Sequence, residues 1–129
     1  MAKSKQKTKK KTDRLFEKAR INVQATFNNT VINASDLEGE SIAWATSGAA
    51  GFKGTRKSTP FAATTAVERL INRLREKGVK EVEVYIKGPG PGRDAVLRVV
   101  RGAGLQISLI ADVTPIPHNG SRPKKKRRV

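Results

Sequence analysis

Apolar and polar positions alternate from Ile21 onward. Ile21, Val23, Ala25 and Phe27 fall on one side and Asn22, Gln24 and Thr26 on the other, the two-residue period of a strand with one buried face. Asn28-Asn29 reads as a turn, because asparagine tolerates positive φ, and Thr30 to Ser35 as the returning strand. Asp36 to Glu40 predicts a second turn, and Ser41 to Thr46 a third strand with Ile42 and Trp44 on one face. Residues 47–59 interrupt the pattern with three glycines and three cations. The period then becomes helical. Thr59 is suited to the N-cap and Pro60 to the first helical position, where a missing N–H costs nothing. Ala63, Ala66, Val67, Leu70, Ile71 and Leu74 supply the apolar stripe, and Gly78 closes the helix. Alternation resumes over Glu81 to Lys87, with Val82, Val84 and Ile86 inward. After the loop Gly88 to Gly92, the positions Val96, Val99, Val100 and Ala103 mark a second helix from Arg93, ended by Gly104. Asp94 and Arg98 are spaced on it for a weak ion pair. Leu105, Ile107 and Leu109 begin a final strand.

The order β-β-β-α-β-α-β carries two strand–helix–strand connections, which demand parallel pairing, while the meander demands antiparallel pairing. The expected fold is therefore an α/β domain with a mixed sheet of about five strands and two helices, in two or three layers. With only four Phe and one Trp, its core must be built mainly from Val, Ile, Leu and Ala.

At 129 residues the chain has room for one such domain. Its charge is uneven. There are 27 Lys and Arg against 11 Asp and Glu, a net charge of +16. Residues 1–20 hold nine cations and two acids, residues 113–129 six cations and no acid, so the 92 residues between are only mildly basic. This suggests a basic flexible arm (1–20), a globular α/β domain (21–112) and an extended basic tail (113–129). Met1 to Lys11 has no apolar residue able to join a core, and three prolines keep Pro115 to Val129 extended. Two polycationic ends on a nearly neutral core suit an anionic polymer. The chain has no cysteine and one histidine, which excludes disulfides, thiolate metal sites and paired imidazoles. No apolar run reaches the roughly 18 residues of a membrane span, and no secretory signal opens the chain. A soluble intracellular protein without membrane contact is expected.

Two loops carry candidate chemistry. Lys87-Gly-Pro-Gly-Pro-Gly-Arg93 joins a strand to a helix N-terminus, whose free N–H groups and positive dipole end suit a phosphate. It lacks the GK[ST] ending of a Walker loop and the spacing of a dinucleotide fingerprint, so a rigid turn docked on a phosphate backbone fits better. Gly51 to Ser58 combines glycines that permit close approach with Lys53, Arg56 and Lys57. Phe52 within it suits either a core anchor or a base-stacking ring. Enzyme chemistry finds little support: Asp36, Glu38 and Glu40 share one turn, Asp112 looks structural, and His118 has no nucleophile partner. The basic run PKKKRRV (Pro123 to Val129) also matches an import signal, leaving a DNA-compacting or nuclear-imported protein as the alternative. Asn119-Gly120 is the pair most prone to isoaspartate formation.

Four segments bring in a resemblance: Gln24 to Thr30 (QATFNNT), Gly51 to Ala63 (GFKGTRKSTPFAA), Val84 to Gly90 (VYIKGPG) and Asp112 to Pro123 (DVTPIPHNGSRP). Together, in this order across about residues 20–129, they resemble the bacterial form of the protein-eleven family of the small ribosomal subunit. Bacterial members commonly carry Cys where this chain has Ser121. The resemblance implies a non-enzymatic structural constituent of the cytoplasmic ribosome, in a bacterium or an organelle, with a ribonuclease H-like fold lacking catalytic acids. It implies binding to small-subunit ribosomal RNA on the platform, bridging RNA helices and helping to form the Shine–Dalgarno cleft, with messenger RNA nearby and proteins seven and eighteen as neighbours. No small-molecule substrate, cofactor or metal is implied. Carried onto this chain, the RNA-contacting positions are Lys53, Gly54, Arg56, Lys57 and Ser58; Lys87, Gly88, Gly90, Gly92 and Arg93; and His118, Asn119, Arg122, Lys124, Lys125, Lys126, Arg127 and Arg128.

Overall fold

The computed structural model describes residues 16–128, so the expected disorder of Met1 to Lys11 lies outside the described residues. Five strands form one sheet: β1 (Lys18–Ala25), β2 (Thr30–Ser35), β3 (Ser41–Thr46), β4 (Glu81–Lys87) and β5 (Gln106–Asp112). Their spatial order is β3-β2-β1-β4-β5. β2 runs antiparallel to both β1 and β3, whereas β4 pairs in parallel with β1 and β5, so only β2 opposes the common direction. Two helices, α1 (Pro60–Glu76) and α2 (Gly92–Gly102), make the crossovers. This is the mixed α/β sheet with two helices expected of a ribonuclease H-like fold, in two layers.

Alternation explains why the layers number two. Ala19, Ile21 and Val23 of β1, Ile32 and Ala34 of β2, Ala45 of β3, and Val82, Val84 and Ile86 of β4 all bury on one face. Against them pack Ala66, Val67, Leu70, Ile71 and Leu74 of α1 and Val96 and Val100 of α2. The opposite face is solvated and mixes polar side chains with exposed Val31, Trp44 and Leu109, and Lys18–Glu81 (3.7 Å) and Arg20–Glu83 (3.5 Å) stitch it across β1 and β4. Arg20 also lies 5.0 Å from the centre of the Tyr85 ring. None of the aromatic residues is fully buried, so the core is aliphatic throughout.

The Thr59 hydroxyl accepts the N–H of Ala62 (3.3 Å) and caps α1, with Pro60 beside it. Gly78, at φ +80°, turns the chain away after α1. Elsewhere the chain departs from its pattern. β1 begins at Lys18, inside the stretch read as an arm, and half-buried Phe16 packs against the core, its N–H donating to Lys77 O (3.0 Å). Phe27 does not continue the buried row of β1; it is 72% exposed in the turn before β2. Asn28 and Asn29 make that turn without positive φ, which among non-glycine described residues occurs only at Asn119. The buried side of β3 is that of Ala45, with Trp44 on the solvated face opposite Asn33. In β5 a register shift beside Val82 and Glu83 breaks the alternation, pairing Leu109 with Glu83 on the solvated side. The spacing of Asp94 and Arg98 produces no ion pair; the acid that pairs near α2 is Asp112, with Arg93.

Candidate nucleic-acid interface

The topology brings the sequence candidates together. β1, β3, β4 and β5 point the same way, so the segments that follow them leave from one edge of the sheet. These are the turn 26–29, the loop 47–59, the loop 88–91 and the tail from Val113. In open α/β sheets this carboxyl edge is where ligands collect, because loops converge there and helices present their N-termini. Asp36, Glu38 and Glu40 follow the reversed strand β2 and therefore sit at the opposite edge. The carboxyl edge holds the cationic loops and tail, and the acidic turn lies away from it.

Within the first loop, Gly54–Ser58 forms a 3₁₀ turn that runs directly into α1. The Thr59 hydroxyl donates to Arg56 O (2.8 Å) while capping α1, and Ser58 Oγ donates to Thr55 O (3.1 Å). One threonine thus splices the two helical pieces. Lys53, Gly54 and Arg56 are exposed and Lys57 and Ser58 half-buried, and none of the three cationic side chains has a hydrogen-bond or ion-pair partner among the described residues. Gly54 (φ +59°) has open space where a Cβ would stand. Phe52 is half-buried and meets Phe61 edge to face, with ring centroids 5.7 Å apart at 85°. Its ring contact is with this exposed neighbour, and it is not among the side chains packed against the core.

The second loop is built differently. Lys87 is exposed at the end of β4 and free of side-chain partners among the described residues, but the glycines after it face inward. A Cβ at Gly88 (φ +100°) would stand 2.2 Å from Ala25 O, and one at Gly90 2.4 Å from Thr26 O. Gly92 is buried, with the Thr30 hydroxyl 2.3 Å from its own absent Cβ. The close approach lets Gly90 N–H donate to Ala25 O (2.9 Å). Because Gly92 faces Thr30 and Ala63, the first turn of α2 is a packing joint against the start of β2 and α1.

Arg93 is committed to that joint. Its guanidinium donates to Gly88 O (3.0 Å) and to Asp112 Oδ2 (2.8 Å). The other Asp112 oxygen accepts from the N–H of Thr114 (3.0 Å) and from its hydroxyl, while Thr114 Oγ1 accepts from Gly88 N–H (3.1 Å). Val113 N–H donates to Ile86 O (2.8 Å). These bonds form a latch that sets where the tail leaves the sheet. Hydrogen bonds from Thr114, then the Arg93 guanidinium, hold the Asp112 carboxyl down at about 2. The spacing of Asp112, Thr114 and Arg93 carried no such signal, since 19 residues separate the ion pair.

Beyond the latch the described tail forms neither helix nor strand. His118, Asn119, Arg122, Lys124, Lys125, Lys126, Arg127 and Arg128 are all exposed, with Asn119 at φ +62°. No group of three or more His, Cys, Asp or Glu among the described residues could hold a metal ion. No helix among them is long and apolar enough to cross a membrane.

Comparison with known proteins agrees with this architecture. The family model for ribosomal protein S11 matches residues 19–128. The chain is 53% identical to small ribosomal subunit protein uS11 of Hydrogenovibrio crunogenus over 129 residues, covering all of both chains. It is 51% identical to uS11 of Aquifex aeolicus over 95% of this chain and 98% of that one. Against uS11c of Mesostigma viride the identity is 53%, over 93% of this chain and 92% of that one. The match to the family begins at Ala19, just inside β1, and runs through the latch to Arg128. The chain belongs to the ribosomal protein S11 family and is a structural, non-enzymatic protein of the ribosome.

Proposed function

We propose that this protein binds small-subunit ribosomal RNA through the carboxyl edge of its sheet, on the platform of the subunit. There it bridges RNA helices and helps to form the Shine–Dalgarno cleft, with messenger RNA close by and proteins seven and eighteen as neighbours. One observation carries the reading: the loop 53–58, Lys87 and the tail share one edge while the acidic turn 36–40 occupies the other. The globular part fixes the spacing of these cationic elements, and each reaches a separate stretch of phosphate. Holding several RNA segments at once favours the compact platform. Phosphate contacts position the protein, and readout of RNA sequence is minor. Arg93, Gly88, Gly90 and Gly92 contribute by aiming Lys87 and the tail.

The test is RNA affinity as a function of salt. Removing residues 118–129 takes away the six tail cations and leaves the latch intact. Each phosphate that is no longer neutralised lowers the slope of log K against log salt by about 0.7–0.9, so a decrease of about 4–5 is expected. An unchanged slope in the truncated protein would remove the tail from the interface. Sedimentation of the full chain apart from small subunits at moderate salt would overturn the proposal as a whole.

A further inference from the structure

Phe27, which the alternation places on the buried side of β1, lies instead in a turn. It is 72% exposed, in the turn that links β1 to β2 at the carboxyl edge. The turn is held firmly. Thr26 Oγ1 donates to Asn29 O (3.0 Å) and accepts the N–H groups of Asn28 (3.3 Å) and Asn29 (3.1 Å). Thr26 N–H donates to Asn29 O (2.9 Å), and Asn29 Oδ1 accepts from Thr30 N–H (2.8 Å). On its other side the turn is pressed by the glycine loop, whose Gly90 lies against Thr26. Phe27 is thus displayed on a rigid mount, and little ordering entropy remains to be lost when a ligand covers it.

We infer that Phe27 is a stacking platform for one unpaired base of the bound RNA, a proposal that rests on the RNA-binding reading above. Phe52 and Phe61 meet each other edge to face, whereas the Phe27 ring has no aromatic or cationic partner among the described residues. The exposed cations that share this end of the sheet argue for a nucleic acid and against an apolar protein contact. Lys87 stands opposite Gln24 in the sheet register, three residues before Phe27, and the tail leaves beside the same loop. A phosphate backbone drawn to this edge brings its bases within reach of the ring. A-form duplex keeps its bases stacked inside, so the nucleotide that Phe27 meets belongs to a loop, bulge or junction. The turn therefore adds a recognition element that depends on RNA shape and adds no charge.

The test uses the full-length chain and transcribed small-subunit ribosomal RNA, comparing Phe27→Ala, Phe27→Leu and Phe27→Trp. Stacking on an aromatic side chain is sequence-tolerant and substantial, so Phe27→Ala is expected to weaken binding on the order of tenfold. Phe27→Leu should lose as much, because it keeps apolar bulk without a π face, and Phe27→Trp should bind as the parent does. The salt slope should stay the same in all three. Full binding by Phe27→Ala, or full rescue by Phe27→Leu, overturns the proposal. A second readout is independent of the alanine variant: Phe27→Trp combined with Trp44→Phe leaves one indole, which should be quenched when RNA binds. An indole whose emission does not change overturns the stacking. Failure of the underlying reading looks different, because then the unmodified chain itself shows no salt-dependent binding.

Discussion

Gly51 to Ser58 and Lys87 to Arg93 are alike as text: each has glycines and cations and leads into a helix. In the folded protein they do opposite work. The first leaves its cations without internal partners and its glycine at position 54 facing open space. The second spends its glycines on contact with the backbone of Ala25 and Thr26 and its arginine on Asp112 and Gly88. Glycine beside a cation is therefore an ambiguous signal. It marks either a surface that lets a ligand approach or a joint that lets another strand approach, and only the neighbours decide which.

The sharpest way to break this comparison is to add one side chain to each loop. In Gly90→Ala the new Cβ would stand 2.4 Å from Thr26 O and 2.7 Å from Ala25 C, both backbone atoms that cannot swing aside. A loss of about 3 kcal/mol or more is expected, or failure to fold. In Gly54→Asn the new Cβ has no atom within 4 Å, and asparagine tolerates the left-handed φ, so the expected loss is about 1 kcal/mol or less. Urea unfolding of the two variants measures both, and equal midpoints would erase the distinction.

Charge removal should give the reverse ranking. Replacing Lys53, Arg56 and Lys57 together by alanine should lower the salt slope of RNA binding by about 2–3. Stability in the same variant should stay within about 0.5 kcal/mol, since these side chains have no partner to lose among the described residues. Arg93→Ala should lower the slope by less than a single neutralised phosphate would. Its mark is elsewhere: faster amide exchange at Gly88 and Thr114, whose bonds the latch organises. If Arg93→Ala leaves those rates unchanged, the latch is not what holds the tail.

The pH dependence of the latch follows from its carboxylate. Asp112 titrates lower in the folded chain, at about 2, than its ordinary value of 3.8. A depressed pKa stabilises the fold above the unfolded value, so the contribution is complete above about pH 4 and vanishes as pH falls towards 2. Carboxyl carbon shifts read by NMR should place the midpoint low in the parent and closer to 3.8 in Arg93→Ala. A midpoint near 3.8 in the parent would show the latch open in solution. The smallest expected effect lies outside both loops. Asn119 is exposed and followed by Gly120, so aged protein should accumulate isoaspartate there, detected as a methyl acceptor by peptide mass spectrometry. A peptide that accepts no methyl group would show that the tail conformation protects it.

Much of the fold was legible because the period of apolar positions is a direct record of which face is buried. β2, β3 and β4 begin and end where alternation predicts, and every residue of the expected α1 stripe is buried. The errors have local causes. Alternation places the start of β1 too late because Ala19, its first buried residue, is small and sits between Lys18 and Arg20, where charge outweighs the pattern. Phe27 extends the row of Ile21, Val23 and Ala25 in the sequence, but the Thr26 hydroxyl turns the chain before that row can continue. Leu109 falls on the wrong face because β5 carries one residue too many opposite Val82 and Glu83, and a shift of one reverses every later side chain. At the candidate interface, sequence singled out the cationic loops and tail, missed the exposure of Phe27 and the latch, and did not separate Arg93 from Lys87.

The sequence by itself determined the element order, the mixed sheet, the aliphatic core and the concentration of positive charge at the chain's ends. These are properties of composition and short-range period, and each is written within a few residues. The tertiary structure alone decided which loops share an edge, which glycines are surfaces and which are joints, and which cations remain unpartnered. Those outcomes depend on pairs such as Gly90 with Thr26 and Arg93 with Asp112, which are distant in the chain and adjacent only once the sheet has formed.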